Sequence, residues 1–164
     1  MDLSLVDLTT EVVRTERLVL RPYRPEDVDP VHRACQDPDI QRWRRSMPSP
    51  YTRADAIRFV TGTTVRARAD GEGLLAAVEA DGEFVGAAGL HVTPGFLGPG
   101  VGYWTAPWAR RRGYAAEVAR ALAEWGLGLG APRVNLMTDV GNTASQSVAV
   151  RAGFVREAVL RSGL

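Results

Sequence analysis

Gly102-Tyr103-Trp104-Thr105-Ala106-Pro107-Trp108-Ala109-Arg110-Arg111-Arg112-Gly113-Tyr114-Ala115 joins an extended run to a helical one, and its reading decides the fold. Val101 to Ala106 has the β-branched and aromatic content of a strand and is closed by Pro107. From Gly113 to Leu129, the residues Ala115, Val118, Ala119, Leu122, Trp125 and Leu129 recur at three- and four-residue spacing, which predicts an amphipathic helix. A helix entered through a small-residue turn presents unpaired backbone N–H groups at one point, and the aligned peptide dipoles add partial positive charge there. Glycine lets a ligand approach the backbone, and three arginines raise the local potential. Arg110 to Ala115 therefore reads as a pyrophosphate cradle, with a solvated arginine face as the plain alternative.

Working outward, Arg17 to Pro22 alternates as a first strand, and Pro25-Glu26-Asp27 opens a helix to Cys35. Asp37 to Arg44 reads as a short helical piece before Pro48-Ser49-Pro50. Thr52 has N-cap chemistry for a helix from Arg53 to Arg68, which Asp70-Gly71-Glu72-Gly73 ends. Leu74 to Ala80 and Glu83 to Val92 form a hairpin across Asp81-Gly82, followed by a Gly- and Pro-rich loop from Thr93 to Gly100. Beyond the cradle helix and its Gly128-Leu129-Gly130 cap come a strand from Arg133 to Val140, a helix from Asn142 to Ala152 and a last strand from Phe154 to Leu160. Residues 1–14 read as an N-terminal tail in which Leu3, Leu5, Val6 and Leu8 are apolar enough to dock. This order predicts one α/β domain over residues 15–164, a mixed central sheet with helices on both faces.

The charge balance excludes as much as the motifs suggest. Twenty basic residues, all arginine, face nineteen acidic ones, so no global field favours nucleic acid or a membrane surface. No apolar run reaches the length of a membrane span, and the acidic N-terminus does not resemble a signal peptide; a cytoplasmic location is expected. Cys35, the lone cysteine, excludes an internal disulfide and reads as a small buried residue. Two histidines and one cysteine show no metal-ligand spacing, so no metal is expected. Gly98-x-Gly100-x-Gly102 runs into a strand rather than out of one, which removes a dinucleotide fingerprint.

Four blocks in order resemble the GNAT acetyltransferase superfamily, in its ribosomal-protein N-terminal acetyltransferase-like branch. Arg110-x-x-Gly113-x-Ala115 resembles the R/Q-x-x-G-x-G/A signature, and Gly102-Tyr103-Trp104 with Pro107 resembles the run before it. Asn142-Thr143-Ala144-Ser145 with Val148 and Gly153-Phe154 resembles the branch's N-x-x-S…GF segment, and Thr15 to Pro22 its opening strand. The resemblance implies acetyl-CoA as co-substrate and transfer to a primary amine by direct attack in a ternary complex. It places the pantetheine arm against Trp104, Thr105 and Ala106 and the diphosphate on Arg110, Arg111, Arg112, Gly113, Tyr114 and Ala115. It also brings Asn142 to the pantetheine and Ser145 to the sulfur. Arg111 stands where the family often has glycine, and Ala149 where many members carry a tyrosine acid, so Ser145 or water is left to protonate the thiolate. The chain also stops at Leu164, where the family usually continues into one more strand. Pairing between chains, as in a homodimer, or the N-terminal tail is the expected cover for that edge.

An attacking amine must lose a proton, so a base is expected among Glu79, His91, Asp139 and Glu117. His91 has a fitting unperturbed pKa, whereas Glu117 is already accounted for as a favourable charge in a first helical turn. A competing reading is a non-catalytic acyl-CoA-binding or sensing domain. Arg42-Trp43-Arg44-Arg45 reads as a solvated face or an attractor of acidic groups.

Overall fold

Asp81 and Gly82 take φ values of 52° and 83°, the left-handed pair that suits a tight hairpin between right-twisted strands. On either side run β3 (Gly73–Ala80) and β4 (Glu83–His91), antiparallel, with a register shift between Val78 and Glu79. The computed structural model describes residues 1–44, 46–92 and 97–161. Before the hairpin come β1 (Val13–Arg14) and β2 (Val19–Arg21), and after it β5 (Gly100–Thr105). Among the described residues these form one antiparallel sheet in the order β1-β2-β3-β4-β5. Gly86 allows β5 its approach to β4, since a Cβ there would come within 2.4 Å of the Trp104 carbonyl oxygen.

Nearly every position of β3 and the interior of β4 is buried, without alternation, which requires cover on both faces. The helices supply it. α1 (Val28–Ala34) packs on β4 and α4 (Thr64–Ala69) on β3, while α5 (Tyr114–Gly128) lies along β4 and β5 with α6 (Thr143–Ala152) against it. The apolar stripe of α5 buries Val118, Ala119 and Leu122 as its spacing predicts, and Leu20, Leu74 and Leu90 of the sheet are fully enclosed. α2 (Pro38–Trp43) is capped by Asp37, whose side chain accepts from the N–H groups of Asp39 and Ile40. Between α3 (Arg53–Arg58) and α4 the helix widens into a π turn over Phe59–Thr63. Thr61, Thr63 and Thr64 there donate their hydroxyls to carbonyls of the preceding turn, competing with the ladder.

The first fourteen residues run along the domain and enter the sheet edge as β1. Leu8 is buried, and the buried Arg68 donates to the carbonyls of Leu8 (2.5 Å), Leu75 (2.8 Å) and Glu11 (2.5 Å). The Trp125 indole N–H reaches the Glu11 carboxylate at 2.9 Å.

Two expected strands do not form. Arg133 to Val140 makes a single parallel bridge, Gly100 to Asn135, and Phe154 to Leu160 pairs with no strand among the described residues. Both segments have strand-like patterns, but a strand exists only where a neighbour takes its N–H and C=O groups. Val134, Leu136 and Phe154 pack against the core, but Val140, Val155 and Leu160 do not, and Val155 remains 84% exposed. Residues 93–96 of the expected loop and Arg45 of the arginine cluster lie outside the described residues. No helix among the described residues is long and apolar enough to cross a membrane.

Candidate active site

β5 ends at Thr105, and a 3-10 turn over Pro107–Ala109 leads the chain toward α5. Arg111 (φ 61°) and Gly113 (φ 80°) then both turn left-handed. Glycine is needed at 113 for its backbone rather than for space, because a Cβ would meet only the Arg17 guanidinium, at 3.5 Å. Arg111 adopts the same region with a side chain attached, at a strain of about 1–2 kcal/mol. Glycine would take that conformation without strain. Gly113 is the N-cap of α5 and has no side chain to accept from the first-turn N–H groups, and its carbonyl accepts the first helical bond from Glu117. The N–H groups of Tyr114, Ala115 and Ala116 therefore have no acceptor among the described residues.

The arginines around this terminus divide their roles. Arg111 and Arg112 are exposed beside it. Arg17 donates to the Arg112 carbonyl at 3.0 Å and stacks its guanidinium over the Tyr114 ring at 5.1 Å. Arg110 points away and grips the α2 cap, with Asp37 Oδ1 at 2.5 Å and Oδ2 at 3.2 Å. It thereby ties α2 to the turn that precedes α5.

Backbone parity locates an open strand edge next to the same turn. The Val101 N–H donates to Asn135 O (2.8 Å), whereas the Ala106 N–H donates to Val85 O in β4 (2.9 Å). With a period of two, Tyr103 and Thr105 direct their backbone groups to the Asn135 side, beyond the bridge where pairing stops. Trp104 and Ala106 direct theirs to β4. A narrow crevice between the sheet and the first turns of α5 is lined by Val85, Gly86, Tyr103, Thr105, Tyr114 and Ala115, among others.

α6 begins at the open edge as well. Its N-cap Asn142 accepts the Ser145 N–H through Oδ1 at 3.0 Å, which leaves the amide NH2 as the group available for another contact. The Ser145 hydroxyl lies 2.9 Å from the Tyr103 phenol oxygen. Burial pushes the Tyr103 phenol pKa up, against a smaller lowering by the Ser145 bond. Sequence reasoning named Ser145 but missed Tyr103, whose partner lies 42 residues away.

The base candidates separate clearly. Glu117 accepts from Thr15 Oγ1 (2.5 Å), Arg17 Nε (2.8 Å) and Arg17 Nη2 (2.5 Å); burial works to raise its pKa, but these bonds outweigh it and hold the carboxyl below its ordinary value. Glu79 takes Arg21 Nε at 2.7 Å, in a buried network that also pairs Arg21 with Asp27 at 2.8 Å. That network lines a polar cleft with Arg24, Arg33 and Trp108, by the hairpin turn rather than at the open edge. Asp139 holds the Gly141 N–H in the turn before α6 at 2.8 Å. His91 pairs across from Gly100, on the sheet face opposite Tyr103, with Nε2 3.6 Å from the point a Gly102 Cβ would occupy. Desolvation, and secondly the Arg44 charge, lower its pKa below 6.5, so the ring is neutral at neutral pH. Among the described residues no three His, Cys, Asp or Glu side chains converge on a point that would hold a metal ion.

The model of the acetyltransferase (GNAT) domain matches residues 17–155. An aminoglycoside N(6')-acetyltransferase type 1 from Klebsiella aerogenes is 30% identical over 115 residues, covering 66% of this chain and 73% of its own length. Two solved structures share the fold. RimJ from Mycobacterium smegmatis, in complex with CoA-disulfide, has a TM-score of 0.80 at 24% identity, over 94% of this chain and 80% of its own. RimL, a ribosomal L7/L12 alpha-N-protein acetyltransferase in complex with coenzyme A, has 0.75 at 19% identity, over 90% and 86%. The chain belongs to the GNAT acetyltransferase family.

Proposed function

We propose that this GNAT acetyltransferase moves an acetyl group from acetyl-CoA to a primary amine, by direct attack within a ternary complex. One observation carries the reading: an unpaired strand edge and an uncapped helix N-terminus meet at the end of β5. A diphosphate suits the N–H groups of Tyr114, Ala115 and Ala116, with Gly113 left-handed beneath it and Arg111 and Arg112 adding positive charge. Arg110 serves the same site indirectly, through α2. The pantetheine amides suit the open edge, where Thr105 turns its backbone groups outward while Trp104 and Ala106 direct theirs into the sheet. The Asn142 amide suits a pantetheine carbonyl and the Ser145 hydroxyl suits the sulfur, the amide NH2 being left over from the cap and the hydroxyl lying beside the Tyr103 phenol.

His91 is the base this reading prefers, neutral and on the opposite face of β5 from Ser145. Glu79 is engaged by Arg21 away from the edge and takes the lesser claim. Acid–base chemistry is thus divided across the strand. The amine sheds its proton on one side, and the thiolate acquires one on the other. Acceptors supported by the relatives are an aminoglycoside amine and a protein N-terminus.

Two measurements on the full chain test the reading. One is CoA binding by calorimetry. The other is thiol release from acetyl-CoA with kanamycin, a peptide bearing an N-terminal serine, and spermidine. Binding with amine-dependent thiol release is expected, with kcat/KM falling as His91 protonates below pH 6.5 and no such limb in His91→Gln. Binding without release to any amine favours the acyl-CoA-sensing alternative, and absence of both overturns the cradle.

A further inference from the structure

Ala149, one turn beyond Ser145 on α6, carries no hydroxyl, yet a phenol reaches Ser145 from β5 instead. The Tyr103 oxygen lies 2.9 Å from Ser145 Oγ and 3.4 Å from the Ser145 carbonyl oxygen, so Oγ is the better acceptor for its single proton. The Ser145 N–H is already taken by Asn142, and the Asn142 cap fixes the backbone that carries the hydroxyl. When the phenol donates to Oγ, the serine's own hydrogen is free to point elsewhere. Successive hydrogen bonds polarise one another, so the serine becomes the better donor. Tyr103 also belongs to the strand whose backbone at 103 and 105 faces the opening, so the phenol and that edge are fixed by one rigid element.

We infer that Tyr103 is a positioning residue that works through Ser145 to deliver a proton to the departing thiolate, an inference resting on the acetyl-transfer reading above. The amine nitrogen forms a bond to the thioester carbonyl carbon, and the C–S bond breaks with its electron pair passing to sulfur. The amine's proton leaves to His91 or water. Sulfur takes the Ser145 Oγ proton, Ser145 takes the phenol proton, and water restores the phenol. The balance is acetyl-CoA plus amine giving amide plus CoA thiol. Burial favours the neutral phenol, so Tyr103 keeps its proton across the neutral range.

The experiment is a double-mutant cycle with Tyr103→Phe, Ser145→Ala and the double variant, read with the amine that gives the fastest turnover in the panel above. Tyr103→Phe should lower kcat about tenfold or more while the KM for acetyl-CoA and the CoA Kd stay within about twofold. In the Ser145→Ala background it should cost nothing further, because the serine through which it acts is gone. Ser145→Thr, which keeps a hydroxyl, should retain the sensitivity to Tyr103→Phe. A kcat for Tyr103→Phe within twofold of wild type overturns the inference, and so do losses that multiply in the double variant. If wild-type protein binds CoA but acetylates no amine, the underlying reading falls and this one with it. Wild-type turnover with an insensitive Tyr103→Phe sinks this one alone.

Discussion

Helices α5 and α6 both begin beside the open edge of β5, yet their N-termini are finished in opposite ways. α6 is closed by its own Asn142, whose carbonyl oxygen takes the Ser145 N–H. α5 starts from Gly113, which has nothing to close it with, and Arg111 and Arg112 stand exposed nearby. Both termini carry the same dipole, but the cap occupies one of the first-turn donors of α6, whereas no side chain among the described residues occupies any in α5. The first therefore reads as scaffold that holds Ser145, and the second as a site. A single residue type at the cap position sets that difference.

The largest expected effect comes from breaking the open terminus. Gly113→Val puts a β-branched side chain at φ 80°, and the backbone that relieves the strain no longer presents the cradle. CoA affinity should fall about 10–100-fold by calorimetry, and because little lies near the new Cβ, the melting temperature should fall far less than a core defect would cause. Retained affinity in the folded variant would mean that the two termini do not differ in the way described.

The closed terminus allows a finer dissection. Asn142→Ala removes the cap and should cost about 1 kcal/mol of stability, read by chemical denaturation. Asn142→Asp keeps the accepting oxygen and discards the amide donor. It should leave stability nearly unchanged and weaken CoA binding severalfold; undiminished CoA affinity in Asn142→Asp would show that the side chain has only a capping role.

Glu117, in the first turn of α5, sharpens the same comparison. Its carboxyl is held below its ordinary value, so its contribution is present above the unfolded value near 4.5 and is lost as pH falls through the lower folded value. Glu117→Gln should reduce the melting temperature at pH 7 by about 2–4 °C and flatten its decline below pH 4.5. A parallel decline in both proteins would remove Glu117 from the link between the β1–β2 turn and α5. The smallest effect is expected for Arg111→Gly, where relief of left-handed strain is offset by the greater freedom of glycine in the unfolded chain. A rise in melting temperature of no more than about 1–2 °C is the expected reading, with a modest loss of CoA affinity from the missing charge.

Much of this was legible in the residues. Asp81-Gly82 announced the hairpin, since few residue pairs accept two consecutive positive φ values. Gly113 and Asn142 marked both helix starts to within a residue, because caps are local chemistry. Arg133–Val140 and Phe154–Leu160 misled for the converse reason: their alternation satisfies a local pattern while pairing depends on a neighbour that no local pattern specifies. Arg110 was expected at the cradle from the family resemblance, and its side chain grips Asp37, a partner 73 residues away that no local pattern names. Glu79 was a base candidate on its strand and is held by Arg21, 58 residues earlier in the sequence.

The amino-acid sequence by itself determined the family, the α/β layering, the hairpin and the two helix starts that flank β5, because periodicity, caps and turn chemistry act over a few residues. Only the tertiary structure decided which backbone edge stays open, that Tyr103 meets Ser145, and that His91 lies across the strand from both. Those relations depend on register and on which face each side chain takes. A one-residue slip in the pairing of β4 with β5 would bring His91 and Tyr103 to the same face without changing a letter of the sequence.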